Sequence, residues 1–309
     1  MASSDSQRFL GIEIGGTKLQ AVVGDAAGRI ERRWRAGVER AAGAEGILRQ
    51  LEAGMRQLLS HGDCVAVGIG FGGPIDWRTG TIARSHQIGG WDGFALMDWA
   101  RRVSGRPVAV DNDANVAALG EALAGAGRGA DPVFYVTLGS GVGGGLITGK
   151  RIYHGAPPGE AEIGHVRLDR SGTIVEERCS GWAVDARIRE LAGPGSALRR
   201  LIGDQRGGEA RYLPAALAGG DPVARRILDE LAEDLAFALS HVTHLFHPEV
   251  LILGGGLSLI GEPLRRAVEE RLPRWTMAAL GAPPVRQAAL GEDSVPVGAL
   301  LLAAGHTEP

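Results

Sequence analysis

The sequence predicts an α/β protein built of two related lobes, and two observations lead to this prediction. Apolar runs typical of strands alternate with segments of helical periodicity along most of the 309 residues. The order of strand, glycine turn and strand that opens the chain around Gly15 starts again after Val133, where Gly139 begins the second turn. The offset between Gly15 and Gly139 is 124 residues, which is the length of a domain rather than of a short repeat.

The first lobe begins with apolar runs at 9–14 and 19–23, which predict a β-hairpin joined at the glycine turn. Asp111, Asn112 and Asp113 stand at a junction between a predicted strand and a predicted helix. Further strands are predicted at 29–34, 65–69 and 107–110, and helices at 47–59, 94–103 and 115–123.

The second lobe repeats the opening pattern with strands predicted at 133–138 and 146–149. A long helix over 221–246 is marked by Pro222 near its start and Pro248 beyond its end. A strand at 250–253 then meets a third glycine turn, and a final helix follows at 297–304. We expect a small lobe over 1–120, to which residues 297–309 return, and a large lobe over 121–296.

Charge and composition exclude several classes of partner. The 33 basic and 36 acidic residues give a formal charge of −3 without long runs, so no nucleic-acid partner is predicted. No apolar run reaches the about 20 residues that cross a bilayer, and residues 1–9 lack the apolar segment of a signal peptide. We therefore expect a cytoplasmic protein that makes no membrane contact. Cys64 and Cys179 are too few for a disulfide framework, which predicts buried, reduced thiols.

Three glycine turns each follow a predicted strand, at 15–17, 139–141 and 254–256. Such turns expose backbone N–H groups that can hold phosphate oxygens, and a side chain would block that approach. Any one of them alone is also explained as a tight connection between strands. Three at strand ends favour nucleotide binding.

Two familiar nucleotide motifs match only in spacing. Gly139, Gly141 and Gly144 fit GxGxxG, but that fingerprint requires a helix to begin inside it, and the following residues are β-prone. Residues 144–150 fit GxxxxGK, but Arg151 stands where the P-loop needs Ser or Thr. We reject both interpretations.

Six motifs together resemble the ROK family of bacterial sugar kinases and repressors, over nearly the whole chain and in the family's order. They are GIEIGGTK at 11–18, GGPID at 72–76, DNDANVAALGE at 111–121, TLGSGVGGGLI at 137–147, EIGHV at 162–166 and LGGGLS at 253–258. The resemblance implies two actin-like (ribonuclease H-like) lobes, with mixed sheets flanked by helices and an active-site cleft between them. It also implies ATP-dependent phosphorylation of a hexose hydroxyl.

The resemblance further implies that ATP, accompanied by Mg²⁺, is bound at the glycine turns and beside them. Glu13 stands where the family usually carries an Asp that reaches the magnesium through water, and we expect function to persist. No residue is expected to bind a metal directly. The residues implied for ATP are Gly15, Gly16, Thr17, Lys18, Thr137, Gly139, Ser140, Gly141, Gly254, Gly255 and Gly256.

Phosphoryl transfer needs a carboxylate that can take the proton of the attacking hydroxyl, and Asp113 is the candidate. An Asp in front of an alanine-rich helix is also a common N-cap. Four consecutive Asx-type or small residues, 111–114, exceed what one cap needs. Together with the resemblance, this predicts that Asp113 is the catalytic base.

The resemblance places the sugar against six residues, and Glu177 is an alternative to the last of them. In zinc-bearing relatives the histidine of EIGH joins three cysteines, whereas this chain offers only Cys179 in the equivalent segment, so we expect no structural zinc. The six residues are Gly72, Gly73, Asn112, Glu162, His165 and Glu176.

The first candidate reaction is the conversion of glucose to glucose 6-phosphate. N-acetylglucosamine, N-acetylmannosamine, fructose and allose stay open as substrates, because discrimination depends on pocket shape. A repressor is disfavoured, because only about eight residues precede the first predicted strand and leave no room for a helix-turn-helix. A sugar sensor without catalysis would be expected to lack Asp113. A homodimer is an open alternative without an identified interface.

Overall fold

The computed structural model describes residues 7–83, 89–156, 159 and 161–307. Residues 1–6, on which part of the expectation about a signal peptide rests, and residues 308–309 of the expected returning segment lie outside the described residues. The chain divides into two compact units. The first comprises 1–129, 145–160 and 292–309, and the second comprises 130–144 and 161–291.

A five-stranded mixed sheet organises the first unit, in the order β3-β2-β1-β4-β7. The pairs β1–β2 and β2–β3 are antiparallel, whereas β1–β4 and β4–β7 are parallel. A separate two-stranded sheet pairs β5 with β6. The strands are β1 (Arg8–Ile14), β2 (Lys18–Gly24), β3 (Ile30–Gly37), β4 (Cys64–Phe71), β5 (Ile75–Asp76), β6 (Thr81–Ile82) and β7 (Val108–Asn112).

Helices cover both faces of this sheet, because successive side chains of a strand point to opposite faces. Leu10 and Ile12 of β1 join the core formed with α1 and α2, while Phe9 joins a second cluster with Leu300 of α10. Helix α10 also packs against α3, β1 and β4. The helices are α1 (Gly43–Leu59), α2 (Leu96–Ser104), α3 (Asp113–Leu123) and α10 (Ser294–Thr307).

The second five-stranded sheet repeats the order of the first, as β10-β9-β8-β11-β12. Its pairs β8–β11 and β11–β12 are parallel, and β9–β10 is antiparallel. Strand β9 begins inside the GxGxxG spacing, where a dinucleotide-binding fold would start a helix. The strands are β8 (Val133–Leu138), β9 (Val142–Thr148), β10 (Arg151–Ile152), β11 (Val250–Gly254) and β12 (Val285–Gln287).

The second unit is otherwise mainly helical. The longest helix has Asp221 as N-cap, whose carboxylate accepts from the N–H groups of Val223 and Ala224, and it ends before Pro248 as the prolines predict. Among the described residues, no helix is long and apolar enough to cross a membrane. The helices are α4 (Val175–Cys179), α5 (Gly181–Leu191), α6 (Ala197–Ile202), α7 (Leu213–Ala218), α8 (Pro222–Phe246) and α9 (Glu262–Arg271).

Candidate functional site

Three parallel strands of the first sheet end side by side, which brings separate motifs together. Ile14 is paired with Phe71, and Phe71 with Asn112. The backbone N–H of Gly72 donates to the carbonyl of Ile14 at 2.9 Å, which holds the two loops at the ends of β1 and β4 together. Ligands of open α/β sheets bind at this carboxyl edge. The register thus assembles the GGT, GGPID and DNDAN motifs along one edge.

Asn112 is the N-cap of α3. Its Oδ1 accepts from the N–H groups of Ala114 at 2.9 Å and Asn115 at 3.4 Å, and its Nδ2 donates to the carbonyl of Gly73 at 3.2 Å. Asp113 is therefore the first residue of the helix rather than its cap. A Cβ atom added to Gly72 would lie 3.2 Å from Oδ2 of Asp113, so the carboxylate lies against the glycine that follows β4.

The first glycine turn lies beside a buried carboxylate. Oε2 of Glu13 accepts from Nε2 of Gln20 at 2.7 Å, and Nζ of Lys18 lies 3.5 Å from Oε1. Burial raises the pKa of Glu13, and the charge of Lys18 and the Gln20 hydrogen bond oppose that rise. The N–H of Gly15 donates to the carbonyl of Lys18 at 3.1 Å and closes the turn. Carboxylate oxygen is the donor type that Mg²⁺ prefers, so Glu13 fits the expected magnesium position.

The other two glycine turns lie within the second unit and also share a sheet edge. Gly254 of β11 is paired with Thr137 of β8, so the turns that follow both strands leave the sheet together. Gly255 has φ of +77°, and a Cβ atom there would lie 2.6 Å from the backbone of Leu138. Only glycine fits this close approach without strain.

A cavity of about 460 Å³ opens beside these turns, within the size range of small-molecule sites. One wall is fixed by Asp185, whose carboxylate accepts from the N–H groups of Gly208 and Ala210 at 2.8 and 2.7 Å. The lining combines glycine backbone with apolar side chains and one guanidinium, a composition that suits a nucleoside and its phosphates. Lining residues include Gly139, Ser140, Trp182, Arg211, Gly256 and Leu259.

Glu176 contacts the turn at 139–141 directly. Its Oε2 accepts from the N–H of Val142 at 2.8 Å, and a Cβ atom on Gly141 would lie 2.5 Å from the same oxygen. The neighbouring Glu177 has a different role, because its Oε2 accepts from the N–H of Ile174 at 3.1 Å at the start of α4. The two glutamates that the sequence left as alternatives are thus separated by the structure into a turn contact and a helix cap.

Glu162 precedes a short 3-10 turn in the second unit, and His165 is the last residue of that turn. Nδ1 of His165 lies 3.8 Å from Oε2 of Glu162, and the Glu162 side chain is 55% exposed. Surrounding protein atoms nevertheless desolvate the carboxylate enough to raise its pKa, and Glu176 adds a repulsion that His165 opposes. Both side chains therefore remain open to a ligand, and Glu162 lies within electrostatic range of Glu176.

Hydrogen bonds to Asp169 hold the turn at 169–173, which precedes Cys179 along the chain. Oδ1 of Asp169 accepts from the hydroxyl of Ser171 at 2.6 Å and from the N–H groups of Gly172 and Thr173 at 3.0 and 3.2 Å. Burial raises the pKa of Cys179 far above its ordinary range, which keeps the thiol protonated. Across the described ranges, no group of three or more His, Cys, Asp and Glu residues could hold a metal ion.

Two residues outside all of the motifs contact the predicted site residues or line the cavity: His154, which contacts Asp111, and Arg211. Asp111 is buried and its Oδ1 accepts from the N–H of Asn112 and from Nδ2 of Asn115, at 2.8 and 2.9 Å. His154 contacts the same carboxylate from 43 residues away. Arg211 at the cavity likewise belongs to none of the motifs. Pairings such as that of His154 with Asp111 depend on tertiary contacts, and the spacing of residues in the sequence does not predict them.

Three known proteins with similar sequences or structures are glucokinases by name. A glucokinase from Thermotoga maritima is 30% identical over 303 residues, which cover 94% of this chain and 96% of that protein. A glucokinase from Streptomyces coelicolor is 33% identical over 309 residues, with 95% and 96% covered. The crystal structure of a ROK family glucokinase from Streptomyces griseus in complex with glucose and AMPPNP matches with a TM-score of 0.83 and 33% identity, covering 96% of this chain and 99% of that one.

Two mixed sheets of equal strand order, with glycine turns at the ends of their parallel strands, define an α/β protein of the actin-like sugar kinase fold, which confirms the predicted fold class. The ROK family model matches residues 9–306. The chain belongs to the ROK family.

Proposed function

We propose that this ATP-dependent sugar kinase converts glucose to glucose 6-phosphate and that Asp113 is its catalytic base. The assignment of the base rests on one observation at the start of α3, which is that Asn112 rather than Asp113 is the N-cap. Asn112 caps the helix, so the Asp113 carboxylate is not needed for capping and lies against Gly72. The named glucokinase relatives support glucose as the acceptor.

In the proposed reaction, Asp113 accepts the proton of the sugar hydroxyl as that oxygen attacks the γ-phosphorus of ATP. The hydroxyl oxygen forms a bond to phosphorus, the bond from phosphorus to the β,γ-bridging oxygen breaks, and ADP leaves. Protein groups contribute positioning and charge stabilisation rather than covalent chemistry.

The sugar contacts follow from the groups that the fold leaves open. The Asn112 amide gives one N–H to Gly73, which leaves the second N–H for a sugar oxygen. We assign the backbone at Gly72 and Gly73 and the side chains of Glu162 and His165 to the same ligand. Glu176 is preferred over Glu177, because Glu176 lies within electrostatic range of Glu162, whereas the Glu177 carboxylate holds the start of α4.

For ATP, we propose that the nucleoside occupies the 460 Å³ cavity and that the turn at 139–141 contacts the phosphates. We also assign the turns at 15–17 and 254–256, together with Lys18 and Thr137, to ATP binding. Magnesium bound with ATP would neutralise phosphate charge, and Glu13 is the residue that would hold it through water. The Glu13 side chain is kept in place by Gln20 and Lys18.

A coupled assay of ADP release tests the proposal with glucose, fructose, N-acetylglucosamine, N-acetylmannosamine and allose as acceptors. We expect the highest kcat/KM with glucose. A higher kcat/KM with another of these sugars would overturn the glucose assignment while leaving the kinase intact. Calorimetric binding of glucose without ADP release from any sugar would instead support the alternative of a sensor.

A further inference from the structure

We infer that His154 is a positioning residue for phosphoryl transfer, which holds the first turn of α3, and with it Asp113, through the carboxylate of Asp111. The inference rests on the proposed role of Asp113. His154 belongs to none of the motifs that indicated the site, and it follows β10. All residues of the arrangement belong to the first unit.

The central contact is short and largely buried. Nε2 of His154 lies 2.6 Å from Oδ2 of Asp111, and the two side chains are 19% and 4% exposed. An ionised carboxylate only accepts hydrogen bonds, so Nε2 carries the proton and donates it. A charge-assisted bond of this length is among the stronger hydrogen bonds of proteins.

Asp111 also accepts hydrogen bonds from residues on both sides of Asp113 in the sequence, Asn112 and Asn115. While Oδ2 is held by His154, Oδ1 accepts from the N–H of Asn112 and from Nδ2 of the buried Asn115. With both oxygens engaged, the carboxylate has one orientation. Asn112 in turn caps the helix on which Asp113 is the first residue. Three hydrogen bonds therefore connect the imidazole to the turn that carries the base.

The imidazole is itself held in place by stacking. The rings of His154 and Trp77 are stacked at 4.1 Å with an interplanar angle of 17°. Trp77 follows directly on the GGPID motif, whose Gly72 lies against Asp113 and whose Gly73 accepts from Asn112. The histidine thus joins the turn between β5 and β6 to the start of α3.

A purely structural histidine would affect stability and leave the kinetic constants of the folded enzyme unchanged. Loss of the Nε2 donor here leaves Oδ2 of Asp111 without that partner in a position only 3% exposed. A carboxylate that turns to recover a partner releases Asn112 and Asn115. Because Asp113 would lose its position while the second unit is untouched, we expect kcat to fall without a matching rise in the KM for ATP.

The experiment compares His154→Phe, which keeps a ring to stack on Trp77, with His154→Gln, whose amide restores a donor. His61→Phe is the matched control, since His61 is exposed in the turn after α1. We expect His154→Phe to lower kcat by about tenfold or more, which is less than the about 10²–10⁴-fold that an acid–base group contributes, with the KM for ATP within about twofold of wild type. His154→Gln should recover most of the loss.

Hydrogen–deuterium exchange across residues 111–116 is the second readout and needs no activity. It should be faster in His154→Phe than in wild type, His154→Gln and His61→Phe. Unchanged exchange, or a kcat of His154→Phe within twofold of wild type, would overturn the inference, as would a Gln variant as impaired as the Phe variant. A wild-type enzyme without activity on any hexose would refute the proposed function instead, and the exchange data would still decide the positioning role.

Discussion

Two adjacent polar side chains at the start of α3 have different positions: Asn112 is the N-cap and Asp113 is the first residue of the helix. Asn112 has extended backbone angles, φ −63° and ψ 145°, typical of an N-cap, and its side chain accepts from the helix N–H groups. The polar residues 111–113 at the end of a predicted strand indicated both a ligand site and a helix N-cap. Which of the residues 111–113 caps the helix depends on the backbone angles, and residue type does not reveal them.

The pair Glu176 and Glu177 gives a prediction at the same scale. Glu176→Ala should raise the KM for glucose by about tenfold or more, because hydrogen bonds to charged groups contribute roughly 1.5–3 kcal/mol. Glu177→Ala should leave that KM within about twofold of wild type and lower the free energy of unfolding by about 1 kcal/mol, because α4 loses the contact at Ile174. Steady-state kinetics and chemical denaturation of both variants measure the two effects. The reverse pattern would assign the sugar contact to Glu177.

At the scale of elements, strand register explains why distant motifs meet. The pairing of Ile14 with Phe71 and of Phe71 with Asn112 follows from three parallel strands that end together. Buried strands such as β4 and β8 were predictable from their apolar runs. The two-residue strands β5, β6 and β10 and the five-residue helix α4 were not, because segments this short contain too few residues to show a period.

The third glycine turn provides a prediction with a control one residue away. Gly255→Ala should destabilise the protein by about 1–3 kcal/mol or more, because a residue with a side chain is strained at φ +77° and its Cβ would meet the backbone of Leu138. Gly256→Ala should cost less, since a Cβ there meets no atom within 4 Å. Thermal unfolding of the two variants provides the comparison. Equal losses would show that the close approach to β8 does not set the requirement for glycine.

The turn centred on Asp169 predicts a pH dependence of stability. Hydrogen bonds from Ser171 and Thr173 lower the pKa of Asp169 to about 2, below the ordinary 3.8. A carboxylate with a depressed pKa in the folded state stabilises the fold fully above its ordinary pKa, and the contribution fades as the pH falls toward the folded-state value. Asp169→Ala should therefore lower the Tm at pH 7, and the difference from wild type should shrink between about pH 4 and pH 3.

Calorimetry at several pH values tests this prediction. A Tm difference that stays constant down to pH 3 would contradict it.

Metal analysis of the purified protein addresses the expectation of no structural zinc, which stays a prediction. Stoichiometric zinc would contradict this expectation.

At the scale of the whole molecule, the two five-stranded sheets have the same strand order, as the repeated strand–turn–strand pattern predicted. This much was accessible from sequence, because the two glycine turns recur at a domain-sized offset. The boundaries of the units were less accessible: residues 145–160 group with the first unit and interrupt the second along the chain. Tertiary contacts decide to which unit residues 145–160 belong, and the composition of the sequence around them does not indicate a boundary.

The oligomeric state, for which a homodimer is an open alternative, and the proposed glucose preference are also properties of the whole molecule. Light scattering coupled to size-exclusion chromatography measures the first, and the sugar panel measures the second. The glucose preference depends on the shape of the sugar site, and hydrophobic periodicity and motif spacing contain no information about it.

The most direct test of the account is the kcat of Asp113→Asn with glucose and ATP, measured alongside glucose binding by calorimetry. Asparagine keeps the size of the side chain and cannot accept the hydroxyl proton, so we expect kcat to fall by about 100-fold or more, while glucose still binds. A variant that binds glucose and retains more than a few per cent of the wild-type kcat would contradict the assignment of Asp113 as the base.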